Sequence, residues 1–145
     1  MSTRCNIVVR DSEGFDSQMW FYRHSDGNPE TIIPFLLRFL QLVRDGKIRN
    51  NVVQACGWLI ALGMEEYKSS VGQLDGSAPV SARGLHGSEW KVGSIEPTHN
   101  QHGDIAYLYC VDLSDCSIVH GRPNGFSGGC PDPLDSVVDG EKTFL

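Results

Sequence analysis

The sequence predicts an α+β domain in which two helices pack on one face of an antiparallel sheet. Apolar and polar residues alternate near both ends of the chain, which is the period of a β-strand. Between these regions, apolar residues recur every three or four positions over two long stretches, as in amphipathic helices. The resulting order, β-β-α-α-β-β-β, lacks the strand–helix alternation of a parallel α/β fold. A length of 145 residues, with 40% hydrophobic and 21% charged residues, suits one globular domain.

A β-hairpin is predicted at the start of the chain. Residues 4–10 alternate between polar and apolar, residues 11–17 favour a turn, and residues 18–24 are rich in aromatic side chains. Pairing Arg10 with Gln18 across this turn would place the alternate apolar side chains of both strands on one face. That face is predicted to contact the helices.

Two helices are predicted to follow the hairpin. The first begins at Asn28, with Pro29 in its first turn, and ends near Gly46, a plausible C-terminal cap. The second covers about residues 51–67 and has a broad apolar face, so we expect it to be largely buried. Glycine and serine are frequent in residues 68–88, which predicts a long loop.

Strand character returns in the last third of the chain. Residues 90–96 and 116–120 are β-prone, and residues 104–113 give the clearest strand pattern, with mostly apolar side chains on both faces. Because glycine and proline are frequent afterwards, we predict one domain over residues 1–120 and an irregular tail over residues 121–145. The residues predicted on the core face include Ile7, Val9, Phe21, Ile105, Tyr107 and Tyr109.

The predicted hairpin pairing gathers polar and aromatic side chains on the opposite face of the sheet. The side chains concerned are those of Arg4, Asn6, Trp20, Tyr22 and His24. Aromatic rings can stack on bases, and arginine and asparagine can bind phosphates or base edges. The second strand leads to the helix start at Asn28, where free N–H groups and the helix dipole favour an anion. We therefore predict a ligand surface here, with an ordinary solvent-facing sheet surface as the alternative.

The loop before the clearest strand contains a second group of polar residues, namely His99, His102 and Asp104. A histidine and a carboxylate at this spacing could carry out acid–base chemistry or bind a metal ion. Polar residues that only form a turn are the alternative, because the sequence contains neither a zinc-protease motif nor a recognisable catalytic triad. This loop is the secondary candidate site.

Charge, cysteine usage and missing motifs exclude several classes of protein. The net charge of −6 argues against non-specific nucleic-acid binding and against an anionic membrane partner. The five cysteines contain no CxxC pair, so reduced structural thiols are predicted, with Cys5, Cys56 and Cys110 in apolar patterns. The chain has no GxGxxG, P-loop or GxSxG motif, and we predict neither a cofactor nor a metal.

Three segments together carry a resemblance to a known group of proteins. They are residues 3–7 (TRCNI), residues 21–27 (FYRHSDG) and residues 102–109 (HGDIAYLY). In these segments the chain resembles a group of small uncharacterised proteins encoded by bacteriophages and prophages. The resemblance implies an accessory protein that binds a host component, with counter-defence as one such role, in the host cytoplasm.

Two classes of function are therefore expected. The first is a non-enzymatic binder that sequesters a nucleotide-like ligand or blocks a host protein. The second is a small phosphoester hydrolase or transferase that uses His24 or His102. The missing catalytic motifs favour the binder. The chain begins without a signal-peptide pattern, so we expect a cytoplasmic protein, and the apolar surface of the two helices predicts a homodimer.

Overall fold

A six-stranded sheet with two helices forms the computed structural model, which describes residues 3–11, 18–71, 95–124 and 133–145. The elements in chain order are β1 Cys5–Arg10, β2 Met19–Arg23, α1 Pro29–Arg44, α2 Val52–Val71, β3 Glu96–Thr98, β4 Tyr107–Asp112, β5 Ser117–Pro123 and β6 Val137–Phe144. A short 3-10 turn precedes β6. The α+β class predicted from the sequence is confirmed.

The strands lie in the order β3-β2-β1-β4-β5-β6. All neighbours are antiparallel except β1 and β4, which are parallel, so the expected antiparallel sheet is in fact mixed. The reason is the path of the chain. After β3 has added to the outer edge of β2, the chain crosses to the free side of β1 and enters β4 in the same direction as β1.

The main core lies between one face of the sheet and the two helices, as predicted. On the sheet side, Ile7, Phe21 and Tyr109 are almost completely buried. On the helix side, the buried stripe of α1 includes Leu36 and Leu40, four positions apart. Close packing of these side chains fixes the helices on a single face of the sheet.

Helix α1 begins and ends where the sequence predicts. Asn28 occupies the N-cap position in an extended conformation, although its side chain donates to Glu30 instead of capping a backbone N–H. Pro34 stands within the helix, near its start. After the last turn, Gly46 adopts a φ of 75°, a left-handed conformation that glycine accepts without steric cost.

Helix α2 is longer than the sequence predicts. It continues to Val71, so residues 68–71 are helical and not part of the predicted loop; the rest of that loop, residues 72–88, lies outside the described residues. The helix begins after Asn51, whose side-chain oxygen accepts from the backbone N–H of Gln54 and so caps the first turn.

A second apolar cluster covers the sheet face that is turned away from the helices. It comprises Val8, Trp20, Tyr22, Ile105, Leu108 and Cys110. Ile105 was predicted on the helix-facing side, and that prediction is wrong. Strand β4 starts only at Tyr107, so the two-residue alternation does not extend back to residue 105.

The C-terminal region is not the irregular tail that the sequence predicts. Strand β5 continues to Pro123, and residues 137–144 form β6 at the edge of the sheet, while residues 125–132 lie outside the described residues. Glycine is required at position 121, because a Cβ there would lie 2.6 Å from the carbonyl oxygen of Val138. Gly121 therefore permits close contact between β5 and β6.

The cysteines were predicted to be reduced and structural. Cys5, Cys56 and Cys110 are buried free thiols, as predicted, and Cys130 lies outside the described residues. Burial raises the pKa of the Cys5 thiol to about 12, which keeps it protonated and inert.

Strand β3 starts at Glu96, later than predicted, and residues 90–94 are not described. In the described part of the chain, no helix has the length and apolar character needed to cross a membrane.

Candidate functional site

The predicted pairing of the first hairpin is confirmed. Asn6 lies opposite Tyr22 and Val8 lies opposite Trp20, all on the face turned away from the helices. Strand β3 then adds to the other side of β2, with Glu96 opposite Tyr22. This pairing brings the Glu96 carboxylate, which is not among the predicted site residues, to the edge of the predicted ligand surface.

Tyr22 is joined to the loop before β4. Its hydroxyl donates to Oδ2 of Asp104 at 3.0 Å, and Nε of Arg4 lies 3.5 Å from the same oxygen. One carboxylate therefore holds both a buried tyrosine from β2 and an arginine that immediately precedes β1. The Arg4–Asp104 pair is about half exposed, so it contributes only about 0–1 kcal/mol to stability.

Burial and the neighbouring carboxylate keep the Tyr22 hydroxyl neutral. Loss of hydration, the hydrogen bond to Asp104 and the charge of Asp104 together raise the pKa of Tyr22 to about 12. Tyr22 is therefore a hydrogen-bond donor at neutral pH. It is unsuited to act as a general base there.

His24 forms a second pair at the same end of the strands. Its Nε2 lies 2.9 Å from Oε1 of Glu96, and its ring meets the Tyr22 ring edge-on, with the centroids 4.5 Å apart. Both partners of this pair are about half exposed. A carboxylate on one imidazole nitrogen fixes the orientation of the ring.

His102 lies on the other side of Tyr22. The two rings are stacked with centroids 4.0 Å apart, and Nε2 of His102 is 2.8 Å from the Thr98 hydroxyl. The fully buried Asn6 connects the segments: its Nδ2 donates to the Phe21 carbonyl, and its Oδ1 accepts from the backbone N–H of His102, both at 2.8 Å. Asn6 therefore positions the loop that carries His102.

We call this assembly the polar cluster; it comprises Arg4, Asn6, Tyr22, His24, Glu96, Thr98, His102 and Asp104. It unites residues of the predicted ligand surface with two residues of the secondary candidate. Glu96 and Thr98 are not among the site residues predicted from the sequence. Their sequence signal is only a short strand, and nothing local in it indicates that this strand pairs with β2.

Three predicted site residues lie apart from the polar cluster. Trp20 is only 9% exposed and packs in the second apolar cluster. Asn28 lies at the start of α1, next to Gly27, whose carbonyl accepts from the Tyr109 hydroxyl on the helix-facing side of the sheet. His99 is exposed in the bend that follows β3. Since the Tyr22 ring is also buried, neither predicted stacking ring is open to a flat ligand.

Chemically, the polar cluster offers two imidazoles, two carboxylates and one guanidinium. The side chains of Arg4, His24, Glu96 and Asp104 are between 44% and 52% exposed. The described residues contain no group of three His, Cys, Asp or Glu side chains that could hold a metal ion.

Comparison with known proteins identifies no protein similar to this chain. A scan against protein-family models gives no match, and searches of curated proteins and of solved structures give none either.

Proposed function

We propose that this chain is a non-enzymatic binding protein that contacts another protein through the polar cluster. The observation that carries the proposal is the set of four half-exposed polar side chains, three of them charged, held as two pairs, Arg4 with Asp104 and His24 with Glu96. A surface of closely spaced opposite charges is complementary to a protein surface of matching charge pattern. The resemblance to phage-encoded proteins makes a host protein the partner to test first.

The internal hydrogen bonds support a binding role. Arg4 and His24 are long or rotatable side chains, and immobilising such a side chain on binding costs about 0.5–1.5 kcal/mol. Here the two pairs are held in place before a partner arrives, and the buried Tyr22 ring lies beneath both. The cluster is therefore preorganised, which reduces the entropic cost of association.

A nucleotide-like ligand, the other binder considered from the sequence, receives less support at this cluster. Arg4 is already paired with Asp104, so a phosphate would have to displace that carboxylate. The stacking contribution of about 1–3 kcal/mol per base requires an accessible ring, and Trp20 and Tyr22 are buried.

One observation favours the hydrolase as a second candidate. His24 and Glu96 form a histidine–carboxylate pair at 2.9 Å, the arrangement that orients a general base. Incubation with nucleotides and cyclic dinucleotides, followed by denaturation, separates the two functions: a binder returns the ligand intact, whereas an enzyme returns product.

The protein-binding proposal is tested with the double variant Arg4→Ala/Glu96→Ala. It removes one member of each pair, leaves the Tyr22–Asp104 hydrogen bond intact and keeps the net charge unchanged. Immobilised wild-type protein should retain a defined partner from a bacterial lysate, and the double variant should retain at least tenfold less, about 1.4 kcal/mol. Thermal unfolding of both proteins checks that the fold is retained.

The matched control is Asp115→Ala/Lys142→Ala, which removes another partly exposed ion pair without changing net charge. It should retain the partner as well as the wild type does. Equal loss in both double variants would point to non-specific charge effects. Full retention by Arg4→Ala/Glu96→Ala would place the partner surface elsewhere and contradict the proposal.

A further inference from the structure

A cleft of about 410 Å³ lies at the β5–β6 edge of the sheet, apart from the polar cluster. Its lining residues are Tyr107, His120, Gly121, Arg122, Val138, Asp139 and Glu141. Tyr107 packs against the main core and His120 pairs with Tyr109, which places the cleft on the helix-facing side of the sheet. The polar cluster lies on the opposite face, so the two sites can be tested independently.

Local irregularity in the strands forms the cleft. The β5–β6 register shifts between His120 and Arg122, and Asp139 has a φ of 53°, a left-handed conformation that is uncommon for a residue with a Cβ. Such bulges bend a strand and re-aim its side chains. Here they coincide with the charged residues that line the cleft.

The wall of the cleft is aromatic. The Tyr107 and Tyr109 rings have centroids 6.3 Å apart, and the His120 ring stacks on Tyr109 at 5.6 Å. These three rings form a continuous row, of which Tyr107 and His120 line the cleft. A planar group bound beside Tyr107 would extend this row, a contact typically worth about 0.5–1.5 kcal/mol beyond burial.

The two strands that border the cleft carry side chains of opposite charge. Arg122 on β5 is exposed and, among the described residues, forms no ion pair. On β6, Asp139 and Glu141 provide two exposed carboxylates, and Oε2 of Glu141 lies 3.7 Å from Nε2 of His120. The guanidinium can bind a carboxylate of a ligand, and the β6 carboxylates can bind an amine.

We propose that this cleft binds a small zwitterion with an aromatic or apolar side chain, of the size and chemistry of a free amino acid. The inference rests on aromatic rings of β4 and β5 beside a cation on β5 and two carboxylates on β6, in a space within the range of about 300–1,000 Å³ typical of small-molecule sites. Two carboxylates against one guanidinium disfavour a phosphate dianion. A nucleotide is therefore the competing occupant that the experiment must separate.

The test uses three probes that differ by one charged group. L-Phenylalanine carries both charges, phenethylamine lacks the carboxylate and 3-phenylpropanoate lacks the amine. In a titration followed by NMR of isotope-labelled wild-type protein, L-phenylalanine should perturb the ring signals of His120 and the backbone signals of His120 and Arg122. Each analogue should bind at least tenfold more weakly. Adenosine monophosphate, titrated in parallel, should bind more weakly than L-phenylalanine.

Two variants and one control locate the site. Arg122→Ala removes an exposed cation, and Val138→Trp fills the cleft at a position that is 43% exposed, so both should fold. Each should weaken L-phenylalanine binding at least tenfold. Arg49→Ala, which removes an exposed arginine away from the cleft, should leave binding within twofold of wild type.

Three results would overturn the inference. One is the absence of L-phenylalanine binding to wild-type protein at millimolar concentration. Another is unchanged binding in both Arg122→Ala and Val138→Trp. The third is tighter binding of adenosine monophosphate than of L-phenylalanine, which would assign the cleft to a phosphate-bearing ligand.

Discussion

Asn6 is the residue on which the geometry of the polar cluster depends most directly. Its side chain is fully buried and uses both ends of the amide: Nδ2 donates to β2, and Oδ1 accepts from the loop that carries His102. A buried amide with both groups satisfied is specific for one arrangement of its neighbours, because any other leaves a polar atom unpaired.

Replacing Asn6 by aspartate should therefore destabilise the protein more than replacing it by alanine. Asn6→Ala removes two hydrogen bonds and should cost about 1–3 kcal/mol. Asn6→Asp keeps the shape but directs a charged oxygen at the Phe21 carbonyl, so the loss at pH 7 should be larger. Urea unfolding should show that the difference in unfolding free energy between the two variants becomes smaller towards pH 4, because the protonated carboxyl can donate a hydrogen bond again. Equal losses at both pH values would contradict the assigned hydrogen bonds.

Tyr22 gives a pH prediction with a definite sign. Its pKa is raised from 10.0 to about 12 in the folded protein, first by burial and then by Asp104, so the folded state holds the phenolic proton more tightly than the unfolded state. The resulting stability is complete below pH 10 and is lost as the pH rises towards 12. The variant Tyr22→Phe, which cannot titrate, should lose less stability over this interval. Parallel stability curves for the two proteins between pH 9 and pH 11.5 would contradict this assignment.

At the scale of elements, the core position of Phe21 on β2 is confirmed and leads to a stability prediction. The ring is fully buried between the sheet and the helices. Phe21→Ala should lower the free energy of unfolding by about 3–5 kcal/mol, because it removes a buried ring and leaves a cavity. Denaturant unfolding measures this directly. A loss below about 1 kcal/mol would mean that the core collapses around the missing ring with little cost.

Elements whose partners are close in sequence could be predicted, and those with distant partners could not. Alternation and the short loop gave the β1–β2 register, and the residues at its ends gave the limits of α1. The parallel pairing of β4 with β1 and the addition of β3 to β2 join segments more than 70 residues apart. No local sequence pattern predicts such pairings.

The same distinction applies to the polar cluster. The hairpin register placed Arg4, Asn6, Tyr22 and His24 together, but their union with His102 and Asp104 depends on the path of the chain after β3. The burial of Trp20 did have a sequence signal. Both faces of the β4 pattern are apolar, which indicates that the outer face of the sheet is covered as well.

At the scale of the whole molecule, α2 supports the expected homodimer. Residues 52–64 contain no charged side chain, yet Val53 and Trp58 are 69% and 56% exposed. A twofold axis would bring two copies of this apolar helix surface together, since such an interface is self-complementary. We propose that the partner of this surface is a second copy of the chain.

Sedimentation at micromolar concentration should then give twice the chain mass of 16.0 kDa. The variant Trp58→Gln should shift the equilibrium towards the monomer by at least tenfold, because aromatic side chains dominate such contacts. Gln41→Ala, a substitution at an exposed polar position of α1, serves as the control. A monomeric wild-type protein at these concentrations would rule out the homodimer.

Site-specific crosslinking can show whether the polar cluster contacts a protein in the cell. A photoreactive amino acid replaces His24 in one protein and Lys142, far along the sheet on β6, in the other. We expect a discrete covalent adduct with one host protein from position 24 after irradiation of expressing bacteria, and none from position 142. An adduct of the same mass from both positions, or only from position 142, would contradict it.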